Sequence, residues 1–392
     1  MKRRLFIRNG VAGLAGVGAL GALGARGRAF VLGQGAPQGS KLITRRLGRT
    51  GHVLPVVSLG VMNSNNPDLV RAALDGGIIH LDTANGYQRG TNETMIGKVL
   101  AGRPRDSYVI ATKVPGIPRD RNTGVFSAET KAETFLAMFD TSLKRLGLEY
   151  VDILYLHNVT KKESVVFEPL LKALQKVKAD GRAKFIGVST HGGEPEVIRA
   201  VVETGVHDVV LSGYNFRKTD LAGLDAAIAA AAKAGIGIVA MKTMAGGYWD
   251  EERQQPINVK AALKWALNNP NITTAIPGMT TFDQLQADLD VAKDITLTPA
   301  EIKDLKLDTK TGGLYCQQCG TCLGQCRRGL PIPTLMRGYM YAYGYRNMDL
   351  AKDVVAEMGV PKDPCGNCES CPVKCTMRFD VKARVSSVSV LG

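Results

Sequence analysis

No cysteine precedes residue 316 in this chain of 392 residues; all eight lie in its last quarter. Thiol chemistry is therefore confined to one C-terminal segment. No acid occurs in the first thirty residues, against six cations: Lys2, Arg3, Arg4, Arg8, Arg26 and Arg28. Past that stretch no apolar run is long enough for a membrane helix. No basic block is interleaved with aromatics, so the net charge of +14 does not point to nucleic acid. Without the six leading cations the remainder carries +8. What is present is ordinary: 45% hydrophobic and 22% charged residues, a globular balance, in a chain long enough for more than one domain.

Residues 1–30 read as a targeting segment and not as part of the fold. Met1 to Arg8 is MKRRLFIR; Val11 to Gly24 follows, apolar but diluted with Gly and Ala, and too short to span a bilayer. The alternatives are a basic amphipathic leader or a misassigned start. Arg3-Arg4, then Phe6 and Arg8, resembles the twin-arginine export signal. That resemblance implies cleavage near Ala29 and passage through the Tat translocase to the periplasm. The route carries folded proteins with their cofactors already inserted.

From residue 42 to 308 apolar strands alternate with amphipathic helices. The expected strands are Val56–Gly60, Ile78–Leu81, Tyr108–Ala111, Val151–Leu156, Phe185–Val188, Val209–Leu211, Gly237–Ala240 and Thr273–Ile276. Leu170, Leu171, Leu174 and Val177 mark one helical face before a stop at Gly181. Ala226 to Ala234 is strongly helix-forming and ends at Gly235. Eight such units predict an α/β fold, a (β/α)8 TIM barrel. Arg45 to Pro55 carries hairpin signals and is expected to plug the barrel's bottom.

Functional groups of such barrels sit where strands end. After the second strand come Asp82, Thr83, Asn85 and Tyr87; after the third, Thr112 and Lys113; after the fourth, His157. The fifth ends in Ser189, the sixth in Tyr214-Asn215, the seventh in Lys242 and the eighth in Pro277-Gly278. Singly, each group has a plain structural reading: a solvated lysine, a capping aspartate, a satisfied buried histidine, a packing tyrosine. Together they match carbonyl chemistry. Hydride delivery to a carbonyl needs a proton donor at the developing alkoxide. A nearby ammonium lowers a phenol's pKa, an aspartate holds that ammonium, and a histidine orients the oxygen.

HLDTANGYQRGTNETMIGKVL (His80 to Leu100), VIATK (Val109 to Lys113), LYLHN (Leu154 to Asn158), and then GVSTHG, SGYN and AIPGMTTFDQL look like the aldo-keto reductase superfamily, in order, over about residues 42 to 300. The resemblance implies Tyr87 as proton donor, Lys113 and Asp82 tuning it, and His157 positioning substrate. It also implies a nicotinamide nucleotide, NAD(P), with Ser189 and Asn215 near its carboxamide and its phosphates along the loops after strands seven and eight. Three positions depart from the family pattern. Leu211 replaces a carboxamide-binding glutamine, and Met241 stands where many members stack an aromatic. Gly278 and Gln284 stand near the positions of the basic residues that hold a ribose 2′-phosphate. Lys242 compensates in part, and NADP is not favoured over NAD.

Cys316, Cys319, Cys322 and Cys326 read C-x2-C-x2-C-x3-C, and Cys365, Cys368, Cys371 and Cys375 repeat it. This is the bacterial ferredoxin run that holds four-iron clusters. Disulfides and zinc held by four cysteines are the competing readings. Four thiols in eleven residues make pairwise bridges awkward, and structural zinc usually separates its two C-x2-C pairs by a longer loop. Arg327 and Thr376 stand where proline usually follows the fourth cysteine. Between the motifs, Thr334 to Tyr343 and Met348 to Met358 look helical. Tyr339, Tyr341, Tyr343 and Tyr345 alternate there, read as packing around a shielded cluster. Arg337 and Lys362 are candidates to balance cluster charge. Residues 309–392 thus resemble a small helical ferredoxin-like iron–sulfur domain. By that resemblance, two [4Fe–4S] clusters would each take three cysteines of one motif and the last of the other.

The reading is an exported oxidoreductase with an aldo-keto reductase-like barrel and a two-cluster C-terminal domain. It would reduce a carbonyl or oxidise an alcohol of a small molecule, and pass electrons to or from a redox partner protein or a quinone. The alternative is a non-enzymatic iron–sulfur electron carrier that uses the barrel as a scaffold.

Overall fold

The computed structural model describes residues 41–120, 123–308, 312–366 and 368–392. The leader of residues 1–30 lies outside them. A two-stranded hairpin comes first, β1 (Thr44–Arg46) against β2 (Val53–Pro55), antiparallel. Eight parallel strands follow: β3 (Leu59–Gly60), β4 (His80–Asp82), β5 (Val109–Pro115), β6 (Val151–His157), β7 (Ala183–Thr190), β8 (Val209–Gly213), β9 (Gly237–Met241) and β10 (Thr274–Ala275). Each pairs with the next. Parallel bridges from Val57 to Ala275 and from Gly60 to Gly278 close the sheet on itself. All eight expected strands are present, and the fold is a (β/α)8 barrel.

Pleating sends alternate strand residues to opposite faces. Val109, Ala111, Ile153, Tyr155, Val209, Leu211, Val239 and Met241 fill the barrel's interior, together with Leu47 and Leu54 of the hairpin. The hairpin therefore closes the amino-terminal end as expected. It sits tightly: a Cβ on Gly48 would stand 2.4 Å from Gly235 O and from Gly237 N at the start of β9. The alternate residues, among them Ile110, Leu154, Ile186, Val188 and Ile238, pack outward against the helices. Strands buried on both faces read as nearly continuous apolar runs.

The outer layer holds α1 (Pro67–Asp75), α2 (Thr91–Leu100), α3 (Ala132–Leu146), α4 (Lys162–Val165), α5 (Glu168–Ala179), α6 (Glu194–Thr204), α7 (Leu221–Lys233), α8 (Val259–Leu267), α9 (Phe282–Lys293) and α10 (Pro299–Asp304). Their sequences explain their limits. In α5 the buried Leu170, Ala173, Leu174 and Val177 recur at helical spacing, Pro169 opens the first turn, and Gly181 at φ 82° follows the end. In α7 Asp220 caps the start by accepting from Gly223 N at 2.9 Å.

The C-terminal segment is helical, as expected, and no strand occurs in its described residues. It comprises α11 (Ile332–Tyr339), α12 (Met348–Met358) and α13 (Val381–Ser389). The first expected helix ends earlier than the sequence suggested: Met340–Gly344 forms a π-helical turn, and the chain turns away after it. Leu335, Met336, Val355, Val385 and Val388 form a small core against which six of the cysteines pack.

This segment roofs the carboxyl-terminal mouth of the barrel. Asn347 donates to Asn63 after β3 at 2.9 Å. Arg89 after β4 pairs with Asp353 at 2.6 Å. Arg253 after β9 donates to Gly344 O at 3.1 Å, and Gln317 donates to Arg217 O after β8 at 2.9 Å. Arg384 pairs with Glu251.

Candidate active site

Four side chains expected from the sequence meet at the mouth. Asp82 ends β4, Lys113 lies in β5, His157 ends β6, and Tyr87 stands in the turn after β4. Neighbouring strands in register bring them together: Asp82 lies beside Ala111, and Pro115 beside His157. Lys113 Nζ donates to Asp82 Oδ1, to Thr83 O at 2.6 Å and to Tyr87 Oη at 3.4 Å. Lys113 and Asp82 are each 1% exposed. The Tyr87 ring stands edge-on to that of His157, with centroids 6.1 Å apart.

Burial governs the protonation of these groups. It pushes the Asp82 carboxyl up and the Lys113 ammonium down, while each charge opposes the shift of the other. Tyr87 is pushed well above the ordinary phenol range, by burial first and then by Asp82 and Tyr341. The sequence suggested the opposite direction, with an ammonium lowering the phenol. Lys113 is instead spent on Asp82 and Thr83 O, and desolvation of a phenolate prevails. The phenol is thus held as a donor. His157 is driven well below its ordinary value, by burial and then by Lys113, Arg119 and Arg337, so its imidazole is neutral.

Further side chains complete the layer; of these Arg119, His191, Glu93 and Arg145 were not singled out from the sequence. Arg119 hooks the loop after β6 by donating to the carbonyl oxygens of His157 and Asn158. The His191 ring lies 6.3 Å from that of His157. Glu93, fully buried, accepts from Thr112 Oγ1 at 2.7 Å and from Arg145 at 3.4 Å, fixing α2 to β5. From the roof come Tyr341, Tyr345 and Arg337. The Tyr341 charge would raise Tyr87, and Arg337 acts on His157, Arg119 and Lys242. The Arg337 charge is therefore felt at the barrel mouth. The helical spacing of the alternating tyrosines was the signal available: Tyr339 pairs with Tyr343, and Tyr341 with Tyr345.

The expected nucleotide residues are spread along the rim. Ser189 Oγ accepts from Asn158 N at 2.9 Å. Asn215 donates to Lys242 O and accepts from Arg217 N, both at 3.0 Å. Lys242, at φ 57°, lies deep beneath the roof, 3.9 Å from Met340 Sδ. Gly278 faces open space: a Cβ there would meet only Gly60 O, at 3.8 Å. Gln284 is turned back onto Thr280, accepting from its N at 2.7 Å. The set fits a nicotinamide nucleotide in outline, with the phenol at one end, a half-buried lysine between, and an open glycine at the other end. Leu211 and Met241 belong to the apolar interior and offer neither a hydrogen bond nor an aromatic face.

The eight cysteines are free thiols, and among the described residues no three His, Cys, Asp or Glu side chains gather closely enough to share one metal ion. They border two cavities. One, of about 350 Å³, is lined by Cys326, Cys365, Cys368 and Cys371. The other, of about 20 Å³, is lined by Cys316, Cys319, Cys322 and Cys375. Each cavity thus takes three cysteines of one motif and the last of the other. Burial pushes the Cys316 thiol up to about 12 and the Cys322 thiol up to about 11. Against partial burial, hydrogen bonds from Thr321 and Thr376 instead favour the Cys319 thiolate and lower its thiol. Four thiols line each cavity, the number that one four-iron cluster takes.

The sequence model of the aldo/keto reductase family matches residues 59–261. The chain belongs to the aldo/keto reductase family. It is an oxidoreductase of that family. Among curated members, the L-galactose dehydrogenase of Arabidopsis thaliana is 28% identical over 69% of this chain and 92% of its own length. The L-glyceraldehyde 3-phosphate reductase of Escherichia coli K12 is 34% identical over 41% of this chain and 48% of its own length. Solved aldo-keto reductases share the fold. A holo form from Bacillus halodurans aligns with a TM-score of 0.57 at 22% identity, covering 69% of this chain and 98% of that one. One from Klebsiella pneumoniae in complex with NADPH aligns at 0.54 and 21% identity, covering 69% of this chain and 96% of that one.

Proposed function

We propose that this aldo/keto reductase reduces a carbonyl, or oxidises an alcohol, of a small molecule at Tyr87, Lys113, Asp82 and His157, using a nicotinamide nucleotide. The observation that carries the reading is the buried ion pair of Lys113 and Asp82 set 3.4 Å from the Tyr87 hydroxyl. The bound nucleotide supplies or accepts hydride; Ser189, Asn215, Lys242 and the open rim at Gly278 would hold it. The chain's own groups manage the proton. Tyr87 Oη, kept protonated by burial, donates to the alkoxide oxygen. Lys113 stands ready to stabilise the phenolate left behind. Asp82 fixes the lysine's position, and neutral His157 donates from the opposite side to orient the carbonyl oxygen. The roof excludes water from the exchange.

We further propose that the C-terminal segment, residues 309–392, holds two [4Fe–4S] clusters, one on Cys316, Cys319, Cys322 and Cys375 and the other on Cys326, Cys365, Cys368 and Cys371. Bound there, the clusters would supply one-electron transfer between the barrel mouth and a redox partner protein or quinone. The division of the thiols between two cavities supports this. The leader MKRRLFIR supports export by the twin-arginine route to the periplasm.

The test is to purify the full chain without air, count its iron, and mix it with NADH or NADPH while following nicotinamide absorbance and the visible cluster band together. Nucleotide oxidation with a carbonyl substrate present carries the enzyme reading. Iron without any nucleotide reaction carries the second reading, an electron carrier built on a barrel scaffold. Leu211 and Met241 at the departed positions favour that second reading.

A further inference from the structure

Three cations lie beneath the roof without a carboxylate in ion-pair range among the described residues. The Arg119 guanidinium donates to the backbone carbonyls of Gly116, His157 and Asn158 and lies 4.9 Å from the Phe126 ring centroid, with no carboxylate partner among the described residues. The Arg337 side chain of α11 forms no hydrogen bond and no ion pair among the described residues. Lys242 Nζ has the Met340 sulfur at 3.9 Å as its partner. The acids nearby are engaged elsewhere: Asp82 with Lys113, and Glu194 with Lys218. Glu357 feels the charge of Arg337 but forms no salt bridge with it. The cations also act on one another. Arg119 is lowered to about 9, by burial and then by Arg337, and Lys242 to about 7, by burial and then by Lys218 and Arg337. Beside them the buried His191 Nδ1 has no hydrogen-bond partner.

Like charges half-buried at one mouth and without an ion-pair partner are costly, and a bound anion offsets the cost. The positions are informative. Arg119 anchors the loop that carries His157, on the side of the mouth opposite β9 and its following residue Lys242. Arg337 comes down from the cysteine-bearing roof. We infer that the roofed mouth binds a small carbonyl compound that carries its own anionic group, a carboxylate or a phosphate, with Arg337 and Arg119 holding that group while Tyr87 and His157 face the carbonyl. Substrate selection is then shared between the two halves of the chain: the barrel supplies the chemistry, and the roof supplies an arginine that reads the charge. Arg337 is the better probe, because its guanidinium has no partner among the described residues whereas Arg119 also holds a loop. This inference rests on the carbonyl reading of the same site.

The experiment uses the full chain, purified without air, and three matched two-carbon aldehydes: glyoxylate, glycolaldehyde phosphate and glycolaldehyde. Turnover is measured at saturating nucleotide. Oxalate and inorganic phosphate binding are measured by calorimetry, without turnover. At least one charged aldehyde is expected to exceed glycolaldehyde in kcat/KM by about tenfold or more, and which one decides between carboxylate and phosphate. Arg337→Gln should collapse that ratio, and Arg337→Lys should restore part of it. Equal kcat/KM for all three, a ratio unchanged in Arg337→Gln, or oxalate and phosphate competing with nucleotide instead of substrate would each overturn the inference. The two readings separate cleanly. Arginine-dependent anion binding with no aldehyde turned over sinks the carbonyl chemistry and keeps the anion site. Turnover of glycolaldehyde with no anion binding does the reverse.

Discussion

Gly192, just past the end of β7, lies against Gln318, which sits between the first two cysteines of the chain. A Cβ on Gly192 would stand 2.4 Å from the Gln318 carbonyl oxygen and 2.5 Å from its Cβ. Gln318 is itself buried and left-handed, at φ 54°. This contact seats the first cysteine loop on the barrel beside His191.

Gly192→Val should therefore lift that loop. Overpacking of a close contact costs about 1–3 kcal/mol. Faster amide exchange across residues 312–330, with the barrel strands unchanged, is the expected outcome. Unaltered exchange would show that the loop does not depend on this seat.

Tyr87→Phe removes the phenolic proton and little else. Turnover should fall by about 10²- to 10⁴-fold, the range for loss of a general acid, with nucleotide affinity retained. Steady-state kinetics and nucleotide titration on the same preparation check both halves. Undiminished turnover would sink the site assignment.

Lys113→Met should cost more than activity. It leaves Asp82, 1% exposed, as an unpartnered buried acid. Breaking a buried pair from one side costs about 3–5 kcal/mol, whereas replacing both partners is far milder. The double variant Asp82→Asn with Lys113→Met should recover much of the loss in urea unfolding. A single variant as stable as the parent would mean that the pair is not buried in solution.

The barrel was legible because two periods alternate: short β-branched runs, then helical stripes such as Leu170 to Val177. The tetrad was legible because strand ends have a known meaning in that fold. Other features depend on distance along the chain. Arg337 and Tyr341 reach the site from a helix and a π-helical turn that no local pattern aims at the barrel, and Arg119 works through backbone carbonyls that carry no sequence code. The phenol's upward shift was misjudged for a related reason. A sequence shows that an ammonium is near, but it does not show that the ammonium is already bound to Asp82 and Thr83 O.

Acid should weaken the barrel through its buried histidines. Burial lowers His80 to about 3 and His207 to about 4, and neither ring has a hydrogen-bond partner among the described residues. Their folded values lie below the ordinary 6.5, so the stability they confer is present above pH 6.5 and is lost as pH falls toward about 4 and then about 3. His207→Phe should reduce the pH slope of the unfolding free energy between 4.5 and 6 by about 1.4 kcal/mol per pH unit, one proton's worth. Urea unfolding at a series of pH values tests it, and an unchanged slope would mean that His207 is not neutral in the fold.

Single cysteine variants should sort by cavity and not by motif. Cys375→Ser should remove the same half of the iron as Cys322→Ser, while Cys326→Ser should remove the same half as Cys368→Ser. Iron analysis with electron paramagnetic resonance distinguishes the two halves. Loss that follows the sequence motifs would overturn the crossed arrangement.

That crossing has a consequence for how the chain reaches its final state. Cys375 completes the set begun by Cys316, and Cys326 joins the set completed by Cys371. Neither set exists until α11 and α12 have folded back and brought the two ends of the link together, so the closure entropy of one long loop is spent once for both. The two thiol sets are therefore not successive beads on a string. They form a single cooperative knot of contacts, and a ribosome must release the chain past Cys371 before either set can be finished.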